Sequence, residues 1–233
     1  MQLSEVESFV LRRAFSPERI QDRFNVEIED PLGAAELYYL DMLLSAELMV
    51  PLRVVELTIR SSVHTLLSNK VGEWWFDQPK FVYRGLKWEQ RERNALHQAR
   101  KHANREHWPQ ASIEQVISRT PLNFWVRCFS GKYENQLWHP HLKPLFPEKH
   151  VKRRDVHDRL EYLRVLRNRI AHHNIITPEE ADECVQRVKF ILENLKISDG
   201  AVTRPILKML ETSFATITLR TGEMRELMPA QTV

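Results

Sequence analysis

Residues 36–67 read ELYYLDMLLSAELMVPLRVVELTIRSSVHTLL, and this stretch decides the fold. Leu52, Val55, Ile59, Val63, Leu66 and Leu67 recur at steps of three and four, the spacing that lays apolar side chains along one face of an α-helix. Glu36 to Leu67 is therefore helical with a core-facing stripe. Pro51 marks a break or kink within it, because proline removes a backbone N–H and crowds the preceding turn. Upstream, Asp30-Pro31-Leu32-Gly33 has the composition of a turn, and Ser16-Pro17-Glu18-Arg19 reads as an N-cap followed by proline at the first helical position.

Downstream, Gly72 and Pro79 bracket Trp74-Trp75-Phe76 as a packed loop. Lys87 to His107 is a highly charged surface helix. Ser112 caps the next helix, and Gln115 closes a capping box with it. Pro121 to Trp138 is aromatic and apolar but follows no clean period, and His139 to Pro147, with three prolines, is irregular. Lys149 to His173 is helical. Thr177-Pro178-Glu179-Glu180 restarts the helix, with Thr as N-cap, Pro at N1 and Glu at N3, and that helix runs to about Leu195. A last helix covers Asp199 to about Arg220, and residues 221–233 fray. The expectation is an all-α chain with a single domain over residues 1–220, since no composition break divides it.

Composition agrees. The 233 residues include only 6 glycines, where average usage would give roughly 16. This argues against a turn-rich all-β fold and against a glycine-loop nucleotide binder. Ten Phe, six Trp and five Tyr require burial and exclude wholesale disorder. Cys128 and Cys184 make neither a disulfide framework nor a CxxC zinc pair. The N-terminal MQLSEVESFVLRR meets charge too early for a signal peptide. The most apolar run, Leu48 to Ile59, is too short and too charged to span a membrane. A cytoplasmic protein with no membrane partner is expected.

Net charge is +3, but it is unevenly spread. Lys149 to Arg169 holds eight basic residues against three acidic ones, a local net of +5. Such a run is either a solvated face of i,i+4 pairs or a surface for a polyanion. On an ideal helix Val156, Leu160, Leu163 and Ile170 point to one side, whereas His157, Glu161, Arg164, Asn168 and His172 line the other. A wet face carrying arginine, an amide and imidazole suits a phosphodiester. Imidazole exchanges protons near neutral pH, and guanidinium grips phosphate oxygens. That chemistry needs a ribose 2′-OH, so the substrate would be RNA, with no metal or other cofactor required. Arg153, Arg154, Arg164 and Arg169 are the cations expected to hold it. Arg167 is the awkward member: five residues separate it from His172, about 140° around the helix. It reaches the same target only if its stem bends round, the helix distorts or two chains combine. Otherwise it is a half-buried arginine paired with a carboxylate such as Glu56.

Arg167-Asn168, three residues, then His172 resembles the Arg-x4–6-His signature of HEPN domains. Tyr38-Tyr39-Leu40-Asp41, Val55-Glu56-Leu57-Thr58-Ile59-Arg60 and Gly72-Glu73-Trp74-Trp75 resemble the upstream blocks of the Abi-like (AbiD/AbiF-type) abortive-infection family. Pro121-Leu122-Asn123-Phe124-Trp125-Val126, with Tyr133 and Leu137-Trp138, resembles its middle block. The resemblance covers about residues 35 to 195. It implies a HEPN-like helical bundle with additional helices, and a metal-independent endoribonuclease of phage defence or a toxin–antitoxin pair. Its partners would be RNA, a second copy in a homodimer, and an RNA or protein antitoxin. By that carry-over His172 is the acid/base residue, Arg167 the phosphate-side partner and Asn168 the orienting group. His173 is an alternative to His172, and Glu56 and Arg60 are possible supports. A non-catalytic RNA-binding or phage-sensing module is the alternative function. Two departures stand out. Ser61 follows Ile59-Arg60 where the family commonly has Asn, and Asn174 stands where antitoxin-modified relatives carry Tyr.

The remaining candidates read as structural. His139 and His141 flank Pro140 without a third ligand at a defined spacing. His64, His97, His102 and His107 are surface or hydrogen-bonded histidines, the tryptophans are core, and Cys128 has no base beside it.

Overall fold

The computed structural model describes residues 9–10, 13–14, 31–73, 75–76, 87–107, 110–197 and 201–228. The Ser16-Pro17-Glu18-Arg19 cap and Trp74 lie outside them. The architecture is all-α, as the periodicity requires. Helix α1 (Pro31–Val71) is 41 residues long and continues through Pro51. Proline there forgoes one hydrogen bond at a cost of about 3 kcal/mol. Leu44, Leu48, Leu52, Val55, Ile59, Val63 and Leu67 are each at most 3% exposed. At about 1.5–3 kcal/mol per fully buried side chain, that stripe outweighs the lost bond, so the expected break does not occur. Nor do Pro31 to Gly33 form a turn: Pro31 opens the helix, where a missing N–H has no intrahelical partner to lose. Gly72 stops it with φ +119°, a region side chains disfavour.

Helix α2 (Gln90–Glu106) packs on α3 (Ile113–Ser118). The capping box at the start of α3 is present, with Gln115 N–H donating to Ser112 Oγ at 3.3 Å and Ser112 N–H to Gln115 Oε1 at 2.7 Å. The stretch without a clean period is α4 (Leu122–Arg127), a 3₁₀ turn over Gly131–Tyr133, a π-helical segment over Glu134–Leu142 and a second 3₁₀ turn over Lys143–Leu145. Three helical pitches in succession explain why no single period fits it. Helices α5 (Arg153–Ala171), α6 (Pro178–Asn194) and α7 (Arg204–Leu227) complete the chain, with a two-residue antiparallel pair between β1 (Lys196–Ile197) and β2 (Ala201–Val202). Helix α7 outruns its expected end at Arg220. Thr221 and Met224 are buried, and Arg225 pairs with Asp182 of α6 at 2.7 Å.

The chain groups into two compact units. One holds α1 up to Arg53, Val165–Val188 and the chain from Lys208. The other holds Val54–Arg164 and Lys189–Leu207. The boundaries fall inside α1, α5, α6 and α7, where the helices continue unbroken, so no linker composition marks them.

The second unit is built on aromatic rings. Trp75 lies 6.0 Å from Trp88, 6.1 Å from Trp125 and 6.2 Å from Phe124, centroid to centroid. Trp75, Trp88, Trp125 and Trp138 are all buried, as core tryptophans should be. Beneath α2, the buried carboxylate of Glu92 pairs with Arg127 and accepts the Tyr133 hydroxyl at 2.7 Å. That phenol oxygen in turn accepts Glu89 N–H at 3.0 Å.

Trp75 Nε1–H donates to His64 Nδ1 at 3.0 Å. Burial of this half-buried imidazole lowers its pKa, against the opposing pull of Glu114 and Glu73. The unfolded chain therefore takes up a proton near pH 6.5, the ordinary imidazole value, before the native one does. Stability is full above that pH and is lost as pH falls through the lower folded value. Urea titrations between pH 7.5 and 5 should show this loss, and His64→Asn, which keeps an acceptor for Trp75, should flatten it. An unchanged slope in the variant would refute the assignment.

Candidate functional site

Helix α5 forms where Val156, Leu160, Leu163, Leu166 and Ile170 bury a stripe, each at most 9% exposed. The opposite stripe is half-buried along the helix and opens to solvent at its end. His157 Nδ1 lies 3.1 Å from Asp158 Oδ1, and Asn168 is half-buried. His172 is exposed one residue past the helix end.

The end of the helix is closed by its own backbone. His173 N–H donates to Ile170 O at 3.0 Å and Asn174 N–H to Arg169 O at 3.0 Å, the paired bonds of a Schellman motif. His173 occupies the left-handed position with φ +56°, where glycine is usual. That places His172 at the C-cap, its N–H bonded to Asn168 O at 3.0 Å and Arg169 O at 3.1 Å. His173→Gly relieves the left-handed strain and should raise the unfolding free energy by about 1 kcal/mol. A destabilised variant in urea denaturation would contradict the cap geometry.

The guanidinium of Arg167 meets the side chain of its neighbour Asn168, and among the described residues it makes no hydrogen bond to the His172 imidazole. Arg167 Nη1 donates to Asn168 Oδ1 at 3.3 Å, and the Asn168 carbonyl accepts His172 N–H. The first bond uses the Asn168 side chain and the second its backbone oxygen, so the link to His172 runs through the helix backbone and not through the imidazole. Among the described residues no carboxylate pairs with Arg167. Glu56 pairs with Arg60 at 2.7 Å within α1. Arg60 also donates to Ser118 O at 3.2 Å and Thr120 O at 3.4 Å, holding the carboxyl end of α3. Glu56 and Arg60 therefore have structural work of their own.

The four cations expected on an RNA face are engaged with acids. Arg153, 14% exposed, pairs with Glu134 at 3.1 Å and donates to Phe129 O at 2.7 Å. Arg164 forks onto Glu161 at 2.6 and 2.8 Å. Arg169 pairs with Glu180 and donates to Ile175 O at 2.9 Å. Arg154 is 83% exposed and meets Asp158 at 3.3 Å, a pair too solvated to hold it firmly. Glu180 does double duty, since it is also the N3 member of the Thr177 capping box, accepting Thr177 N–H at 3.0 Å.

Sequence reasoning assigned no role to Asp41. Its buried carboxylate accepts Ile176 N–H at 2.7 Å and so fixes the loop that follows His172. The one signal was an acid inside the apolar run Tyr38 to Leu44. Val165 was also missed. It is 43% exposed, and seven residues from His172 it falls on the same side of α5.

Neither cysteine competes as a nucleophile. Burial pushes the Cys184 thiol up to about 12, and it raises that of Cys128, which donates to Phe124 O. Among the described residues no three His, Cys, Asp or Glu side chains gather as a metal site, and no helix is long and apolar enough to cross a membrane. Compared with models of known families, with curated proteins and with solved structures, the chain matches none.

Proposed function

We propose that the protein is a metal-independent endoribonuclease, acting as a homodimer in phage defence or a toxin–antitoxin pair. The observation that carries this reading is the constellation at the end of α5. His172 is solvent-exposed, Asn168 is one turn before it, and Arg167 bonds to Asn168 rather than to an acid. In the proposed reaction the ribose 2′-oxygen attacks the adjacent phosphorus and the P–O5′ bond breaks. The products are a 2′,3′-cyclic phosphate and a 5′-OH end. His172 takes the 2′ proton or supplies one to the departing 5′ oxygen, and a second copy of the site provides the other half of that exchange. Arg167 offsets the charge that grows on the phosphoryl oxygens, and Asn168 orients it.

The test is incubation of the purified full-length chain with total RNA in EDTA. Fragments ending in cyclic phosphate are expected. Cleavage that requires Mg²⁺, or ends in 3′-OH, would overturn the reading. RNA recovered intact but bound would move the protein to the binding-module alternative.

A further inference from the structure

On a wheel of 100° per residue, the buried residues of α2, Glu92, Leu96, Ala99 and Ala103, occupy an arc of about 60°. Opposite them, in order around the helix, lie Lys101, Asn94, Arg105, Gln98, Arg91 and His102, all exposed. No acid stands within that arc. The two carboxylates of α2 are held by arginines from other elements, Glu92 by Arg127 and Glu106 by Arg119. Glu89, just before the helix, pairs with Lys132 at 2.7 Å. Among the described residues Arg91, Lys101 and Arg105 have no ion pair.

We propose that this face of α2 is a binding site for the phosphodiester backbone of nucleic acid. Arg91, Lys101 and Arg105 each neutralise a phosphate, and the Gln98 amide and His102 reach sugar or base edges. The three cations span about 21 Å along one helix side, a row suited to an extended polyanion and too long for a single phosphate. A membrane surface is the poorer fit, because an interfacial helix needs an apolar face to insert. Here Leu96, Ala99 and Ala103 are buried, and α2 exposes no large apolar side chain. The site lies on residues separate from Arg167 and His172 and stands whether or not RNA is cut.

The experiment uses the full-length His172→Ala chain, so that RNA stays intact. Binding of labelled single-stranded RNA, an RNA hairpin and single-stranded DNA is measured by anisotropy from low to high KCl. Substituting Arg91→Gln, Lys101→Gln and Arg105→Gln together should weaken single-stranded RNA binding about a hundredfold at 0.1 M salt. It should also flatten the log K against log salt slope by about 2, from ~0.7 ion per phosphate contact. Lys208→Gln on α7 should change neither. The three nucleic acids separate backbone recognition common to all from a preference for ribose or duplex. Should the triple variant fold poorly, Arg91→Gln or Lys101→Gln alone should each lower the slope by about 0.7. The proposal is overturned if the slope is unchanged, if no nucleic acid binds in a salt-dependent way, or if the same substitutions abolish binding to phosphatidylserine vesicles instead.

Discussion

Replacing His172 by alanine is expected to lower RNA cleavage in EDTA by a factor of about 10²–10⁴, the usual worth of a positioned acid or base. The fold should not notice. His172 is exposed, and the hydrogen bonds seen for it use its backbone N–H, which alanine keeps. An exposed substitution of this kind shifts stability by about 0.5 kcal/mol at most. Activity and thermal stability must therefore separate: cleavage lost, Tm unchanged. His173→Gly serves as the paired control, since it alters the neighbouring imidazole while satisfying the left-handed backbone, and it retains cleavage. If the two variants exchange these outcomes, His173 is the acid/base residue. If cleavage survives both, neither imidazole is. Arg167→Lys should recover little, because ammonium cannot reproduce the planar fork offered to a phosphate and to Asn168 Oδ1.

The largest stability effect is expected at Glu92. Glu92→Ala removes a buried carboxylate while leaving Arg127 without its counter-charge and the Tyr133 hydroxyl without its acceptor. Breaking a buried pair from one side costs about 3–5 kcal/mol. Arg127 keeps 26% of its side chain exposed and can turn to water, so the lower figure, about 3 kcal/mol, applies. For a chain of this length that is a Tm fall of roughly 10 °C. Tyr133→Phe should cost about 1 kcal/mol. The double variant should fall short of the sum, because the two side chains share one bond. Calorimetry on the four proteins checks this, and strict additivity would show that the 2.7 Å bond contributes nothing.

Elements whose apolar spacing is regular were legible in the sequence. The buried stripe of α5 and the capping boxes at Ser112 and Thr177 follow from local rules and are present. Pro51 does not end its helix, because the burial of the stripe on both sides outweighs the hydrogen bond that proline forgoes. The region from Pro121 to Leu145 was illegible for a different reason, its changing helical pitch. At the candidate site, the stripe through Asn168 and His172 could be placed from spacing alone. The ion pairs could not, since Glu134 and Glu180 reach Arg153 and Arg169 from 19 and 11 residues away. Counting charges along α5 overstated its free positive charge, and Arg91, Lys101 and Arg105 of α2, which have no ion pair among the described residues, went unremarked because its acids look available in sequence.

The discontinuity of the units has a consequence for synthesis. The compact unit that carries His172 draws its last segment from Lys208 onward. That unit is therefore complete only once Lys208 and the residues after it have been synthesised, although the α5 residues that belong to it are made earlier.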